Sequence, residues 1–324
     1  MIYDTILSLV QQYHHIGIIS HFRPDGDATG STLALGLALE NMGKAVSMWN
    51  EDAVPARYAF LEGSDKISSL PEVTPPELEL LICVDTGDWK RLGDRATVLF
   101  AGFPRIINID HHGTNTCYGH ENLVEGDSAA CGFVLYNMLR HWGCEITPAI
   151  ANALYTAIST DTGSFQYSST TPELMQAAAA LLAAGVDVGD INRRIYQEIP
   201  LSTLMVNREV LNHMVVECNG MLSHYSMPAG RKAELGIGPE DTKDLVDIIR
   251  TVQGVRVSVI FEDLEDGRIR MSLRSKDPQI SVADIASQFG GGGHAMAAGI
   301  RMKGELEDVR TRVLAAIREQ LNTK

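Results

Sequence analysis

The sequence predicts an α/β protein: an N-terminal domain with a mostly parallel sheet flanked by helices, and a smaller α+β C-terminal domain. Three observations carry this. Short, largely apolar runs such as ELLICV (79–84) and RIINI (105–109) alternate with helical stretches, the pattern of parallel strands buried on both faces. After about residue 200 the pattern changes to strands joined by tight turns. The charge changes with it: residues 1–200 hold 11 basic and 24 acidic residues, a net of −13, whereas residues 201–324 hold 16 and 17, a net of −1. The expected organisation is a domain over 1–190, a helical linker over 191–215 and a second domain over 216–324.

The elements follow in order. MIYDTILSLVQQYHH has no basic start followed by a long apolar run, so an amphipathic helix is expected there rather than a leader. IGIIS (16–20) reads as a strand, 28–42 as a helix and 44–49 as a strand. The runs 79–84 and 105–109 read as strands, each followed by an aspartate. Helices are expected over 128–139, 148–159 and 172–184. Beyond the boundary come a helix over 200–217, a strand over 221–227 and a helix over 239–252. Strands over 255–262 and 268–276 then pair across the turn Glu265-Asp266-Gly267, followed by a short helix, a glycine run, a strand and a terminal helix.

Composition narrows the classes. The 27 Lys+Arg against 41 Asp+Glu, net −14, argue against a protein that coats long nucleic acid. They leave room for a short anion in one basic pocket, or for a cation site that needs carboxylates. Five cysteines (Cys83, Cys117, Cys131, Cys144, Cys218) form no CxxC pair, which points to a reduced, cytoplasmic protein. No apolar run reaches the length of a membrane span, so no membrane association is expected.

In an open parallel sheet, ligands bind beyond the carboxyl ends of the strands. At those places stand His21-Phe22-Arg23-Pro24-Asp25-Gly26-Asp27, Asp85-Thr86-Gly87-Asp88 and Asp110-His111-His112. Thr160-Asp161-Thr162-Gly163 follows the helical stretch 148–159. A lone Asp after a strand is most often a helix cap, and Asp27 is placed to be one. Three strand ends carrying such clusters together are another matter. Converging carboxylates repel unless divalent cations offset them. Mixed His and Asp ligands suit Mn²⁺, Fe²⁺, Co²⁺ or Zn²⁺. Two metals roughly 3.5–4 Å apart are the arrangement for in-line displacement at phosphorus. One carboxylate then bridges, and Asp85, from a central strand, is the best placed.

In the second half, RIRMSLRSK puts Ile269, Met271 and Leu273 on one face of a strand. Arg268, Arg270, Arg274 and Lys276 fall on the other, with Ser272 between. An edge strand protected by solvated cations has the same pattern. The run Gly290–Gly293 before His294 lets backbone amides approach an anion closely.

These residues resemble a known family. Asp110-His111-His112 is the tripeptide that names the DHH phosphoesterases. SHFRPDGDATGS resembles the family's first motif, VDTGD its second and TDTGSF its fourth, while GGGGHAMAAG resembles the signature of the associated DHHA1 domain. The motifs run in the family's order across both halves, most similar to the nanoRNase/pAp phosphatase (NrnA-like) type. The resemblance implies that His21, Asp25 and Asp85 hold one divalent metal ion and Asp27, Asp85, His111 and Asp161 a second, with manganese the usual metal. It implies that His112 faces the scissile phosphate rather than a metal and that Asp110 orients a histidine that ligates the metal. Arg274, Gly291, Gly292, Gly293 and His294 would grip the far phosphate and nucleotide. The expected activity is hydrolysis of short oligoribonucleotides to nucleoside 5′-monophosphates and of pAp to AMP and phosphate. Cyclic or linear dinucleotides (c-di-AMP, pApA) are the alternative substrates. The low aromatic content (6%) and acidic charge disfavour a RecJ-like exonuclease, and the full ligand set disfavours a non-catalytic nucleotide-binding module. By analogy a homodimer is allowed.

Overall fold

The structure, a computed structural model, describes residues 2–238, 242 and 245–322. The chain divides into two compact units, residues 1–198 and 199–324.

In chain order the first unit contains α1 (Ile2–Gln12), β1 (His15–Ile19), α2 (Gly26–Asn41), β2 (Ala45–Asn50), β3 (Ile67–Ser69), β4 (Leu80–Val84) and α3 (Asp94–Leu99). β5 (Ile106–Asp110), β6 (Glu121–Val124), α4 (Cys131–His141), α5 (Pro148–Asp161), α6 (Pro172–Ala183) and α7 (Val188–Asn192) complete it. The six strands form one parallel sheet in the order β3-β2-β1-β4-β5-β6. Alternate side chains explain the apolar runs. Ile16, Ile18, Leu80, Ile82, Val84, Ile107 and Ile109 enter one core, and Ile19, Leu81, Cys83 and Ile106 the other. Both faces are covered, so the alternation that would mark a half-exposed strand is absent.

The sequence reading missed β3 and β6, short strands at the two edges of the sheet. Both are largely half-buried or exposed and carry no apolar run. The helix expected from Ala28 starts two residues earlier, and its cap is Asp25, whose Oδ1 accepts from the Ala28 amide at 3.0 Å. Asp27 lies inside the first turn. α4 meets α5 at Gly132, where a Cβ would overlap the Cβ of Ala157; glycine lets the start of α4 come close to α2 and α5.

The second unit contains α8 (Leu201–His213), β7 (Val215–Glu217), β8 (Leu222–Met227), α9 (Arg231–Leu235), α10 (Leu245–Arg250) and β9 (Val257–Asp263). β10 (Arg268–Ser275), α11 (Val282–Ser287), β11 (Gly292–His294), β12 (Ala297–Lys303) and α12 (Leu306–Asn322) follow. The sheet order is β11-β12-β10-β9-β8-β7, antiparallel except for β8 beside β9. The helix expected over 200–217 stops at His213, and its last residues form edge strand β7, paired with β8. The helix expected over 239–252 is seen as α10; residues 239–241, 243 and 244 lie outside the described residues. β10 alternates as its sequence demands: Ile269, Met271 and Leu273 pack into the core beneath α11 and α12. Residues 191–215, expected as one linker, are shared between the units: α7 and a π-helical turn (Arg193–Gln197) in the first, α8 and the start of β7 in the second. No single helix among the described residues is long and apolar enough to cross a membrane.

Candidate metal centre

The strand order of the first sheet changes direction between β1 and β4, the place beyond whose carboxyl ends ligands bind in open α/β sheets. His21 lies two residues past β1, and Asp85 directly past β4. Asp110 ends β5, followed by His111 and His112. Asp25 caps α2, Asp27 sits in its first turn, and Asp161 is the last residue of α5. The fold therefore gathers residues from 21 to 161 into one place.

Three overlapping groups of candidate ligands form there. His21 Nε2 stands 3.8 Å from Asp25 Oδ1 and 3.5 Å from Asp85 Oδ2. His111 Nε2 stands 3.6 Å from Asp27 Oδ2, 3.5 Å from Asp85 Oδ1 and 3.4 Å from Asp161 Oδ2. Ligand atoms of His21, Asp25 and Asp85 lie within 4.8 Å of one another, as do those of Asp27, His111 and Asp161, and those of Asp85, His111 and His112. These separations are too long for strong hydrogen bonds. They suit atoms sharing a cation, since ligands about 2.1 Å from one ion stand about 3–4 Å apart. Asp85 turns one oxygen toward each imidazole, the posture of a bridging carboxylate.

Hydrogen bonds around the clusters fix which atoms face inward. The Nδ1–H of His21 donates to the Phe22 carbonyl at 2.8 Å and that of His111 to the Ser128 carbonyl at 3.2 Å, leaving Nε2 of each for the carboxylates. Asp27 accepts from the Cys131 and Gly132 amides at the start of α4 (2.7 and 2.9 Å) and from the Ser31 hydroxyl (3.0 Å). Asp85 has a left-handed backbone (φ 52°) and is 2% exposed. Its buried Oδ1 has no hydrogen-bond partner. An ionised oxygen stripped of water is costly unless a positive charge compensates it, so this atom fits a divalent cation.

The electrostatics agree. Burial opposes charge on His21, but the Asp25 and Asp85 carboxylates outweigh it and push its pKa up to about 10. His111, facing Asp85, Asp27 and Asp161, is pushed up to about 11 against the same burial. Burial, reinforced by the charges of Asp85 and Asp161, raises Asp27 well above the usual carboxylate range. Burial raises Asp161 to about 7. Asp85, despite burial, is held well below the usual range by His111 and His21. The cluster thus retains protons, positive charge that a bound cation replaces.

His112 is oriented separately. Its Nδ1–H donates to Asp110 Oδ1 at 2.7 Å, so Asp110 serves His112 rather than His21 or His111. Asp110 is fully buried. Its Oδ2 accepts from Asn115 Nδ2 at 2.5 Å, and the same amide donates to Asn108 Oδ1 at 2.8 Å. Asn108 in turn donates to the Thr86 carbonyl at 3.1 Å and the Tyr118 hydroxyl at 3.2 Å. Burial opposes charge on His112, yet Asp110 beside it raises its pKa. The sequence reading missed Asn115, three residues past His112, and the contacts made by backbone carbonyls and amides, which no side chain marks.

The remaining candidates belong to the second unit. Arg274 lies on β10, its Nε 3.5 Å from Asp247 and its guanidinium donating to the Leu273 carbonyl at 3.1 Å. The glycine run ends in β11, where Gly292, Gly293 and His294 pair with Gly299, Ala298 and Ala297 of β12; Gly291 precedes them. Gly293 has φ 142°, and a Cβ there would overlap the Ala297 carbonyl, which explains glycine at that place. The basic face of β10 is more compensated than its sequence suggests. Arg268 pairs with Asp266, Arg270 with Glu262 and Thr242, and Lys276 donates to the Val252 carbonyl.

Comparisons with known proteins identify the family. Residues 15–158 match the DHH family N-terminal domain and residues 225–323 the DHHA1 domain. The chain is 38% identical over 308 residues to the bifunctional oligoribonuclease and PAP phosphatase NrnA of Thermus thermophilus, covering 94% of this chain and 90% of that protein. It is 25% identical over 304 residues to the Bacillus subtilis protein of the same name, covering 91% of each. An exopolyphosphatase-related protein from Bacteroides fragilis superposes with a TM-score of 0.90 at 26% identity, over 99% of this chain and 96% of that one. RecJ of Thermus thermophilus, in complex with Mn²⁺, shares the fold at 14% identity with a TM-score of 0.55, over 98% of this chain and 54% of that one. The chain belongs to the DHH family of phosphoesterases, with a DHH domain followed by a DHHA1 domain.

Proposed function

We propose that the protein is a two-metal phosphoesterase that hydrolyses short oligoribonucleotides to nucleoside 5′-monophosphates and pAp to AMP and phosphate. The observation that carries this is Asp85, buried, one oxygen without a hydrogen-bond partner, facing both His21 and His111. The relative at 38% identity, named for these two activities, supports the substrate class.

In this reading His21, Asp25 and Asp85 hold one cation, and Asp85, Asp27, His111 and Asp161 hold the other, with manganese the metal. When bound, the cations offset the carboxylates, polarise the phosphoryl oxygens and make water a nucleophile near neutral pH. The protein's own groups do the rest. The Phe22 and Ser128 carbonyls keep each Nδ1 protonated so that each Nε2 is a ligand. The Cys131 and Gly132 amides hold Asp27 in place. Asp110 accepts the Nδ1–H of His112 and favours its imidazolium form, in which the Nε2–H would donate to the phosphoryl or leaving oxygen and hand it the proton, returning His112 to the neutral Nδ1–H tautomer. Arg274, Gly291, Gly292, Gly293 and His294 anchor the far end of the substrate, through guanidinium contacts and exposed amides. Short substrates suit a protein whose cations are few and largely compensated.

The test is hydrolysis of pAp and of a labelled ribodinucleotide, with and without Mn²⁺, beside c-di-AMP and pApA. Manganese-dependent release of AMP from pAp and of mononucleotides from the dinucleotide is expected. A metal-loaded protein that turns over neither substrate refutes the reading.

A further inference from the structure

Two guanidiniums stand beside the metal centre without a carboxylate to pair with. Arg23 Cζ lies 5.9 Å and Arg91 Cζ 5.3 Å from the centroid of the same ring, that of Phe22. Both side chains are exposed, and neither is ion-paired among the described residues. This is a singular placement in a unit with 24 acidic residues against 11 basic ones.

The arrangement is built into the backbone. Arg23 adopts a left-handed conformation (φ 55°), uncommon for a residue with a side chain, and its amide is held by Asp52 Oδ2 at 2.7 Å. In extended chain, neighbouring side chains point to opposite sides. The left-handed turn instead lets the side chain of Arg23 approach the ring of Phe22. From the other direction, the Phe22 amide donates to the Arg91 carbonyl at 2.8 Å and ties the two loops together. The Phe22 carbonyl accepts the Nδ1–H of His21. One residue therefore orients a candidate ligand with its backbone and seats two cations against its ring.

The nearby acids are engaged elsewhere: Asp52 on the Arg23 amide, Asp88 on the Lys90 amide at 2.8 Å. Both guanidiniums lie within about 6 Å of the same ring centroid, so a bound anion there is attracted by two cations at once. Guanidinium forks match phosphate oxygens. Arg23 lies between the candidate ligands His21 and Asp25 in the chain, and Arg91 is tied to Phe22 through its carbonyl, so an anion held by them is next to the carboxylate cluster.

We infer that Arg23, Arg91 and the ring of Phe22 form a phosphate subsite next to the metal centre, taking a substrate phosphate other than the one being cleaved. The inference rests on the phosphoesterase reading above and adds a requirement to it: a good substrate carries at least two phosphates.

The test compares pAp, with two phosphate groups, and bis(p-nitrophenyl) phosphate, with one. Arg23→Gln, Arg91→Gln and the double variant are assayed with Mn²⁺, and metal content is measured for each. The ratio of kcat/KM for pAp to that for bis(p-nitrophenyl) phosphate should fall at least tenfold in the double variant at wild-type metal content. A smaller fall overturns the subsite. If the wild type cleaves bis(p-nitrophenyl) phosphate but neither pAp nor a dinucleotide, the functional reading fails by itself. The subsite is then judged by the inhibition constant of pAp against bis(p-nitrophenyl) phosphate, which must rise at least tenfold in the double variant for the inference to stand.

Discussion

Replacing Asn115 by alanine removes the amide that holds Asp110 against His112. Asn115 gives one hydrogen bond to Asp110 and one to Asn108, and accepts one from the Cys117 amide at 2.6 Å. A hydrogen bond to a charged partner contributes about 1.5–3 kcal/mol, so fold stability should drop by roughly 2 kcal/mol. In a unit of this size that is a fall of about 4–8 °C in Tm. The larger effect is on chemistry. Asp110 keeps one buried oxygen without its donor and is free to turn, and His112 loses its fixed tautomer. Loss of such an orienting contact costs about 10–100-fold, and here it should appear in kcat, with KM and bound metal little changed. Asn115→Asp should be worse, because it sets a second carboxylate against Asp110. The assay is kcat and KM on pAp with Mn²⁺, beside metal per chain and a thermal melt. A kcat within twofold of wild type for Asn115→Ala refutes the reasoning. So does a loss of metal in proportion to activity, which would place Asn115 in support of the cations instead of His112.

Other consequences can be checked directly. Asp85→Asn keeps the shape but removes the shared charge; metal content and turnover should fall together, turnover beyond roughly 100-fold, and near-normal activity would exclude Asp85 as the bridge. Metal binding should release protons. His21 and His111, raised to about 10 and 11, are charged at pH 8 until a cation displaces their protons, so affinity rises with pH and loading both sites releases these imidazole protons. Calorimetry in buffers of different ionisation enthalpy measures this, and zero net release contradicts it. The same raised values stabilise the metal-free fold below the ordinary histidine range and lose that contribution as pH rises through about 10–11. Arg274→Ala should raise KM for pAp more than it lowers kcat; an unchanged KM removes Arg274 from the clamp.

The parallel sheet was legible because strands buried on both faces leave continuous apolar runs, as in 79–84 and 105–109. Strands β3, β6 and β7 were not, since edge strands of three or four residues bury too little to leave a pattern. The candidate ligands could be read from side-chain type at the ends of those runs. Asp27 shows the limit of such reading: its position before a helix suggested a cap, but Asp25 is the cap, and Asp27 turns to the α4 amides. The Phe22 and Ser128 carbonyls and the Cys131 and Gly132 amides belong to residues whose side chains advertise nothing. Arg23 and Arg91 are ordinary cations until a left-handed backbone and a shared ring bring them together. The charge of β10 was legible, but its compensation by Glu262, Asp266 and Asp247 depends on tertiary contacts.

The spread of the candidate ligands along the chain has a bearing on how the protein folds. Five strands, β2 to β6, lie between His21 and Asp161 in the chain, and the centre exists only once β1, α2, β4, β5 and α5 are all docked. Parallel pairings of this kind form late, after long loops have closed. A chain still emerging from synthesis before residue 161 therefore has no complete centre to offer a cation. Binding that arises after the folding barrier lowers the unfolding rate and leaves the folding rate nearly unchanged. A cation bound at this centre would act as a latch on a finished fold, lengthening the lifetime of the native state without hastening its formation.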